Sequence, residues 1–319
     1  MSRAAVVIGR NEGARLIRCL ASLKGHFAKI IYVDSGSDDG SIDAARIAGA
    51  EVVELDLSRP FTAARARNAG LAHLVAQQEA LPEYIQFLDG DCEMHAGWPE
   101  LASRFLEVHP DVAVVCGRRR ERHPGASVYN GLIDREWDTP IGATDACGGD
   151  AMMRSAPFQA AGGYDPGLIA GEEPELCLRL RRMGWTIWRL DAEMTLHDAD
   201  LMRLTQWWQR TRRAGHAYAE GAHMHGAGPE RHYVAETRRA LLWGLGVPLV
   251  SFAGMLLTWP WGLALLLIWP VQVLRLRLRG LSWSEAFFLT LSKLPETQGI
   301  LQFHRSLWRD SRTGLIEYK

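Results

Sequence analysis

This sequence has no closely paired cysteines and almost no net charge. Its five cysteines are dispersed over 319 residues without a CxxC pair. An odd, dispersed set is typical of reduced thiols in the cytoplasm and does not indicate a disulfide framework. With 36 basic and 37 acidic residues the formal net charge is -1, so no positive field indicates nucleic acid as a partner.

A second absence is local, because no charged residue occurs between Ala240 and Leu274. This stretch exceeds the roughly 20 residues that cross a bilayer, and arginines flank both of its ends. Trp259-Pro260-Trp261 near its middle indicates a turn. We therefore expect a hydrophobic helical hairpin with both ends on the cytoplasmic side of a membrane.

The sequence does not determine how deeply this hairpin enters the membrane. Each arm has only about 14–18 residues, short for a full span of about 20. A spanning pair and a shallow or re-entrant hairpin are both compatible with the pattern. A buried helix pair in a soluble domain or an oligomer interface is a third interpretation.

The first 90 residues alternate short apolar runs with helical patterns. The run near the N-terminus is too short for a signal peptide and is predicted to be the first strand. Further strands are predicted at 30–33, 51–55 and 84–88. Repetition of strand, loop and helix predicts an α/β fold with a mostly parallel central sheet and helices on both faces. The polar loops after these strands are expected to share one rim of the sheet, where such folds bind ligands.

The fourth predicted strand ends in Asp89-Gly90-Asp91. Side chains at i and i+2 of an extended segment point the same way, so both carboxylates can converge on one cation. A tight turn is the alternative, because Asp-Gly is a strong turn signal. The shared rim favours the metal site. After the first strand the chain reads GRNEGA instead of GxGxxG, which makes a nicotinamide or flavin enzyme an unfavourable interpretation.

Seven segments, taken in order, resemble the family 2 glycosyltransferases. They are VVIGRNE, VDSGSDDGS, ARNAG, FLDGD, GGDAMMRS, GEEPELCLRL and a late strand followed by LHD. Together they cover roughly residues 4–200. The resemblance implies the GT-A fold, a Rossmann-like nucleotide-binding half being part of it. We expect a catalytic domain at 1–225, with a nucleotide-sugar half at 1–95 and an acceptor half at 96–225. A membrane-associated helical region at 226–319 follows.

The resemblance also implies a set of donor-binding residues. Asp34 matches the aspartate that holds the nucleotide base or ribose, and Glu12 and Asp38 lie beside that pocket. Arg67, in ARNAG, matches a position near the nucleotide diphosphate. Asp89, the first aspartate of FLDGD, is expected to work toward the ribose or toward the water of a metal ion.

The metal ligands are implied in the same way. Asp89 and Asp91 match the DxD motif of the family, which binds the nucleotide through Mn²⁺ or Mg²⁺. Asp91 is expected to hold the metal directly. His197 resembles the histidine that some members supply as a further metal ligand, and a structural hydrogen bond is the alternative for it.

The position of the catalytic base departs from the family pattern. The family usually shows Glu-Asp after a glycine, and the aspartate deprotonates the acceptor hydroxyl. Here the pair is Glu172-Glu173, so Glu173 takes the position of the base, which a glutamate can fill. Glu172 and Asp150, the latter in the acceptor-side loop, are the other candidates.

The expected function is an inverting, metal-dependent glycosyltransferase on the cytoplasmic face of the inner (plasma) membrane. It would move a sugar from a UDP- or GDP-linked donor to an acceptor hydroxyl, lipid-linked by hypothesis, in synthesis of a cell-surface polysaccharide or glycolipid. One alternative is a catalytically silent sugar-nucleotide-binding or scaffold protein of the same fold. Another is a nucleotidyltransferase, whose expected glycine- and lysine-rich phosphate loop is absent. The donor, sugar, linkage, acceptor and oligomeric state stay open.

Overall fold

The computed structural model describes residues 2–77, 81–309 and 314–317. It divides into two compact units. The first unit consists of Met1–Leu168 and Glu172–Asp200, and the second of Ile169–Gly171 and Leu201–Lys319. The first unit therefore ends at Asp200, whereas the predicted catalytic domain extends to residue 225. The difference arises because the long helix after Asp200 packs on helices of the second unit.

The first unit alternates strands and helices along the chain. Its strands are β1 (Arg3–Gly9), β2 (Lys29–Asp34), β3 (Glu51–Glu54), β4 (Tyr84–Asp89), β5 (Cys92–Met94), β6 (Val112–Glu121), β7 (Gly142–Thr144), β8 (Ala151–Arg154) and β9 (Thr186–His197). Its helices are α1 (Ala14–Leu23), α2 (Ser41–Ile47), α3 (Ala63–Ala76), α4 (Trp98–Val108), α5 (Val128–Glu136), α6 (Ser155–Ala160) and α7 (Glu172–Arg182).

The strands form one sheet in the order β3-β2-β1-β4-β8-β6-β9-β5, and β7 also pairs with β9. The α/β fold with a central sheet is confirmed. The sheet is mostly parallel, as predicted: β1 to β4 run parallel and β6 pairs in parallel with β9, whereas β8 runs antiparallel between β4 and β6. Strands β5 and β7 run antiparallel to β9. Each of them has only three residues, too few for an apolar periodicity to show in the sequence.

The register of the parallel strands brings their polar carboxyl ends to one rim. Gly9 of β1 lies opposite Asp34 of β2, and Ile8 lies opposite Asp89 of β4. The interior residues of β1 and β4 are buried on both faces of the sheet, and a slip by one residue would exchange the side chains that pack on each face. All five cysteines lie in the same core and none forms a disulfide.

The second unit is helical. Its helices are α8 (Leu204–His225), α9 (Val234–Leu241), a π-helical turn (Leu242–Gly246), α10 (Val247–Leu257), a 3-10 helix (Trp261–Leu267), α11 (Ile268–Leu278), α12 (Trp283–Leu291) and α13 (Lys293–Trp308).

Helices α8 and α13 pack closely along their length. A Cβ atom added to Gly215 of α8 would lie 2.0 Å from the carbonyl oxygen of Glu296, and one added to Gly299 of α13 would lie 2.0 Å from that of Arg212. Polar side chains on the two helices also pair, as Trp208 donates to Gln298 at 2.9 Å. This packing explains why α8 lies with the second unit.

The apolar stretch forms two antiparallel arms. Two helical segments, Val234–Leu257 of 24 residues and Trp261–Leu278 of 18 residues, are long and apolar enough to cross a membrane. Only 11% and 6% of their most apolar windows are buried. The arms touch at Gly254 and Gly262, where a Cβ on Gly262 would lie 2.2 Å from the carbonyl oxygen of Gly254. The first arm is longer than the sequence suggested because its helix begins upstream of the apolar stretch.

Candidate active site

The loop after β2 is organised by the carboxylate of Asp34, which is 1% exposed. One of its oxygens accepts from the Tyr32 hydroxyl at 2.9 Å and from the Ser37 hydroxyl at 2.5 Å. The other accepts from the backbone N–H groups of Gly36 and Ser37, both at 2.8 Å. Because four donors hold this side chain, Asp34 shapes the polar loop as well as lying at the predicted donor pocket.

Two loops of the rim are joined through Asn11. Its backbone N–H donates to the Ser37 hydroxyl at 2.9 Å, and its side-chain oxygen accepts from the Asp38 N–H at 2.9 Å. Asn11 has a φ of 56°, a left-handed conformation that asparagine adopts more readily than most residues. The neighbouring Glu12 lies against Gly90, where an added Cβ would be 3.3 Å from its Cγ. Glu12 thus connects this part of the rim to the loop that carries Asp89 and Asp91.

Arg67 is the centre of the acidic part of the rim, and its side chain is 3% exposed. One terminal nitrogen lies 2.9 Å from Glu172 and 3.0 Å from Glu173, and the other lies 2.9 Å from Asp89. Burial alone would lower the pKa of this guanidinium, but Glu173 and Asp89 raise it well above its ordinary value. Arg67 is therefore a fixed cation that draws together three predicted site residues.

Asn68, the next residue of the ARNAG segment, has a structural role that the sequence pattern did not indicate. Asn68 donates to the backbone oxygen of Tyr164 at 2.7 Å and accepts from its N–H at 3.0 Å. This pair of bonds fixes α3 against the segment that leads toward α7. Arg67 is held in register with Glu172 and Glu173 as a result.

Gly149 leaves room for the Arg67 cluster. A Cβ added to Gly149 would lie 2.5 Å from an Arg67 terminal nitrogen, 3.1 Å from an Asp89 oxygen and 3.2 Å from a Glu173 oxygen. No such obstacle meets Gly148, whose added Cβ has nothing within 4 Å. The two adjacent glycines therefore differ sharply in what they permit.

We expect Gly149→Ala to displace the Arg67 side chain from its carboxylates and to lower the free energy of unfolding by about 1–3 kcal/mol, as overpacking does. Gly148→Ala is the matched control and should change the unfolding free energy by less than about 0.5 kcal/mol. Urea titration of both variants checks this. Equal unfolding free energies of the two variants would show that the Arg67 side chain can move aside without loss of stability.

Arg119 is a second cation of the site. Its guanidinium lies 3.3 Å from Asp89 and 3.6 Å from Asp150, and 4.7 Å from the ring centroid of Trp137. Burial opposes ionisation of Asp89, yet Arg67 and Arg119 lower the pKa of its carboxyl group. Asp89 is therefore an ionised, doubly paired carboxylate in the absence of any ligand.

Asp150 is buried and its two oxygens are occupied. One accepts from the Asp89 N–H at 3.2 Å and the other from the Thr195 hydroxyl at 2.7 Å. Its side chain is 0% exposed. These bonds tie β8 to β4 and β9, and they leave Asp150 poorly placed to take a proton from an acceptor.

Asp91 and His197 meet because of strand register. Cys92 of β5 lies opposite His197 of β9 in an antiparallel pair. This places the imidazole Nε2 3.3 Å from the nearer Asp91 oxygen, with both side chains buried. The possible ligand atoms of Asp91, Cys92 and His197 all lie within 4.8 Å of one another. The structure thus brings together two of the three side chains predicted to bind a metal, while Asp89 lies in a second such group with Cys92 and Asp150.

The donor set at this point fits a hard divalent cation. Asp91 and Asp89 offer carboxylate oxygens and His197 an imidazole nitrogen, ligands that Mn²⁺ accepts and of which Mg²⁺ prefers the oxygens. The site holds more carboxylates than guanidiniums. The guanidiniums belong to Arg67 and Arg119, and the carboxylates belong to Asp89, Asp91, Asp150, Glu172 and Glu173. A buried excess of negative charge is costly without a cation.

Glu172 and Glu173 begin α7, where acidic residues are favoured by the helix dipole. Glu172 is 4% exposed and pairs with Arg67, whereas the Glu173 side chain keeps 14% exposure. Burial and the neighbouring Glu172 raise the pKa of Glu173 to about 7, against the lowering effect of Arg67. A carboxyl group with this pKa on the rim is suited to accept a proton near neutral pH.

Three residues of the cluster carried no prediction from sequence, namely Arg119, Glu121 and Asn11. Arg119 lies within the run Arg118-Arg119-Arg120, which matches no functional motif in the sequence. Glu121 ends β6 and lies 3.6 Å from the Nδ1 atom of His197. Only the pairing of β6 with β9 makes it a neighbour of the site, because 75 residues separate the two strand ends.

Two solved structures share this architecture over most of their length. A mannosyltransferase from Pyrobaculum calidifontis, solved with GDP-Man and Mn²⁺, is similar with a TM-score of 0.69 and 18% identity, over 97% of this chain and 88% of that one. A structure of S. aureus TarS 1-349 is similar with a TM-score of 0.52 and 13% identity, over 98% and 92% of the two chains. The fold is therefore the GT-A fold of nucleotide-sugar glycosyltransferases.

A family model gives a more specific match. Residues 5–159 match the model of glycosyl transferase family 2. The matched segment includes the Asp34 loop, Arg67, Asp89, Asp91 and Asp150. Glu173 and His197 lie beyond it, so their roles depend on the geometry described above.

Curated relatives agree with the family. The succinoglycan biosynthesis protein ExoA of Rhizobium meliloti is 26% identical over 196 residues, 57% of this chain and 57% of the relative. The pre-mycofactocin glycosyltransferase of Mycobacterium tuberculosis is 27% identical over 207 residues, 60% of this chain and 42% of the relative. The chain thus spans less than two thirds of the length of these relatives.

Proposed function

We propose that the protein transfers a sugar from a nucleotide-sugar donor to an acceptor hydroxyl with inversion at the anomeric carbon. The observation that carries this proposal is the position of Glu173. Its pKa is raised to about 7, and Arg67 bridges it to Asp89 of the Asp-Gly-Asp loop. A general base and a metal-type carboxylate pair are thus supported by the same cation.

The donor binds, in this proposal, along the carboxyl rim of β1, β2 and β4. Asp34 receives the base or ribose, with Glu12 and Asp38 beside it, and Arg67 lies toward the diphosphate. The support is the hydrogen-bonded junction of the first two loops through Asn11. Because Arg67 is already paired with three carboxylates, its contribution to the donor is to hold Asp89 and Glu173 in place.

The metal ligands in this proposal are Asp91 and His197, with Asp89 beside them. Bound there, Mn²⁺ or Mg²⁺ supplies Lewis-acid stabilisation of the charge that develops on the departing diphosphate. Glu173 accepts the proton of the attacking hydroxyl, which adds to the anomeric carbon as its bond to the diphosphate oxygen breaks. A single displacement inverts the configuration and needs no carboxylate nucleophile, unlike a retaining glycosidase.

We assign the acceptor to a lipid-linked saccharide and the protein to the cytoplasmic face of the plasma membrane. Support comes from the exposed apolar arms Val234–Leu257 and Trp261–Leu278. Between Glu236 and Glu285 every charged residue is an arginine, and all five lie at the base of the hairpin. This pattern suits a membrane interface with cytoplasmic flanks. The name of the succinoglycan relative supports a place in polysaccharide synthesis.

A screen of sugar nucleotides with the detergent-purified full chain tests the activity. UDP- and GDP-sugars are incubated with Mn²⁺, Mg²⁺ or EDTA, and release of nucleoside diphosphate is measured. We expect turnover of at least one donor that EDTA abolishes. Donor binding without turnover under any metal would favour the silent sugar-nucleotide-binding protein. Release of pyrophosphate from a nucleoside triphosphate and a sugar phosphate would favour a nucleotidyltransferase.

The membrane assignment makes a separate prediction. Val250 and Leu267 are each 60% exposed in the interior of the two hairpin arms, and an arginine at the centre of a membrane helix costs about 3 kcal/mol on insertion scales. The double variant Val250→Arg, Leu267→Arg should leave the membrane fraction of an expressing cell after alkaline carbonate washing. The matched control is Leu57→Arg, because Leu57 is 63% exposed and lies in the first unit. This control variant should stay in the membrane fraction.

Two other outcomes would contradict the membrane assignment. Wild-type protein that remains soluble as a defined oligomer would identify the arms as a subunit interface. Membrane retention of the double variant would place the anchor elsewhere in the chain.

A further inference from the structure

Glu121 lies in a row of side chains that crosses three strands of the sheet. In the register of β6 and β9 it is opposite His197, and in that of β9 and β5 His197 is opposite Cys92. Residues directly opposite each other in a sheet project from the same face. The Glu121 carboxylate lies near one nitrogen of the His197 ring, and Asp91, the residue before Cys92, lies near the other.

We infer that Glu121 is a positioning residue that fixes the imidazole of His197 for metal binding. Its Oε2 atom lies 3.6 Å from Nδ1 of His197, while Nε2 of the ring lies 3.3 Å from Asp91. With a metal on Nε2, Glu121 would accept the proton that Nδ1 then carries. This inference rests on the proposed metal role of Asp91 and His197.

The Glu121 carboxylate is itself held firmly. Oε1 accepts from the His123 N–H at 3.0 Å and from the Asn130 side chain at 3.3 Å, and Oε2 accepts from the Ala199 N–H at 3.0 Å. The side chain is 0% exposed. These donors come from both flanks of the site, so the carboxylate cannot rotate away from the ring without losing several bonds.

On the Nδ1 side the imidazole has few alternatives within the described part of the chain. The buried Nδ1 atom has no hydrogen-bond partner at normal distance there, and the carboxylate that faces it is that of Glu121. Trp137 packs edge-on against the ring, with centroids 4.8 Å apart, which limits its rotation. Hydrogen bonds in ligand-free sites are often long and tighten when the site is filled. A histidine that binds a metal almost always donates its second N–H to such a group.

The competing explanation is that Glu121 is only a structural acceptor for the turn after β6 and for Ala199. Glutamine distinguishes the two explanations poorly by stability alone. An amide has one oxygen where the carboxylate has two, so Glu121→Gln loses bonds under either explanation. The test therefore needs a readout at the His197 ring itself and a control from the same strand end.

The first measurement is ¹⁵N NMR of the imidazoles in the full chain loaded with Zn²⁺, a diamagnetic ion that binds imidazole, at a pH above the ordinary histidine pKa of about 6.5. His197→Gln assigns the His197 signals by their disappearance. We expect the wild type to show a protonated Nδ1 and a metal-bound Nε2, and Glu121→Gln to lose this state at the same Zn²⁺ concentration. A wild-type His197 that keeps its proton on Nε2, or binds the ion through Nδ1, would overturn the inference without reference to any activity.

The second measurement is the affinity for Mn²⁺ alone, from the electron paramagnetic resonance signal of free Mn²⁺. We expect Glu121→Gln to weaken binding about 10- to 100-fold, the usual effect of losing such a partner, and Glu121→Asp to recover part of it. Asp134→Asn is the control, because Asp134 accepts from the Glu121 backbone N–H at 2.9 Å and is not paired with the ring. An equal loss of Mn²⁺ affinity in Asp134→Asn would show that Glu121 has only a structural role. Normal Mn²⁺ affinity without sugar transfer would leave this inference intact and reject the proposed reaction.

Discussion

Glu173→Gln is expected to lower the turnover of sugar transfer by about 10²- to 10⁴-fold, the usual contribution of a general base. The amide cannot take the proton of the acceptor hydroxyl, but it keeps the size of the side chain and can still contact Arg67, which lies 3.0 Å from the carboxylate. Donor affinity should therefore change little, so that kcat falls while the KM for the donor stays near its wild-type value. Initial rates at varied donor concentration check this.

The pH dependence provides an independent test of the same residue. Burial and Glu172 raise the pKa of Glu173 to about 7, and only the deprotonated form accepts a proton. The rate should therefore be level above pH 7 and fall about tenfold for each pH unit below it. In Glu173→Gln this limb should disappear from the residual rate.

The Glu172→Gln variant decides between the two neighbouring glutamates. Glu172 pairs with Arg67 at 2.9 Å and is 4% exposed, so we expect it to act through Arg67. Its substitution should lower the pKa of Glu173, because it removes a charge that raises that pKa. The acidic limb of the rate profile should move to lower pH. A full loss of turnover in Glu172→Gln with a nearly normal Glu173→Gln would reassign the base.

Asp91→Asn is expected to reduce metal-dependent turnover by about 10³-fold. The carboxylate lies 3.3 Å from His197 in a buried cluster of possible ligands, and a catalytic metal contributes several kcal/mol, at about 1.4 kcal/mol per tenfold. The concentration of Mn²⁺ that gives half-maximal rate should rise as well. Titration of Mn²⁺ at saturating donor measures both effects.

Asp198→Asn is the matched control for Asp91. Asp198 follows His197 in the chain, but its carboxylate pairs with Arg18 at 3.4 Å. Its substitution removes the same charge from the same rim without removing a proposed ligand, so the Mn²⁺ dependence should remain that of the wild type. A wild-type Mn²⁺ dependence in Asp91→Asn would reject the proposed metal site.

The local pattern of the sequence was sufficient for the parallel part of the fold. Apolar runs followed by polar loops predicted β1, β2, β3 and β4, and parallel pairing then required their carboxyl ends to share one rim. The observed register of Gly9 with Asp34 and of Ile8 with Asp89 agrees with this. These features follow from local sequence because short apolar runs bounded by polar loops are typical of strands in a parallel sheet with helices on both faces.

The antiparallel strands were not predictable in the same way. β5 and β7 have three residues each, and their pairing with β9 depends on contacts between segments far apart in the chain. The pairing of β9 with β5 on one side and with β6 on the other brings Asp91, His197 and Glu121 together. The resemblance named Asp91 and His197, but no local pattern indicates that Glu121 is the neighbour of His197.

By itself, the sequence determined an α/β domain with polar strand ends, the Asp-Gly-Asp loop, the acidic start of α7 and an apolar stretch without charge near the C-terminus. Only the tertiary structure decided the electrostatics of the site. Arg67 joins Asp89, Glu172 and Glu173 because α3, β4 and α7 meet in space, and the pKa of Glu173 follows from burial beside Glu172. Composition and spacing fix which charges a chain carries, whereas desolvation and distance, which set their energies, exist only after folding.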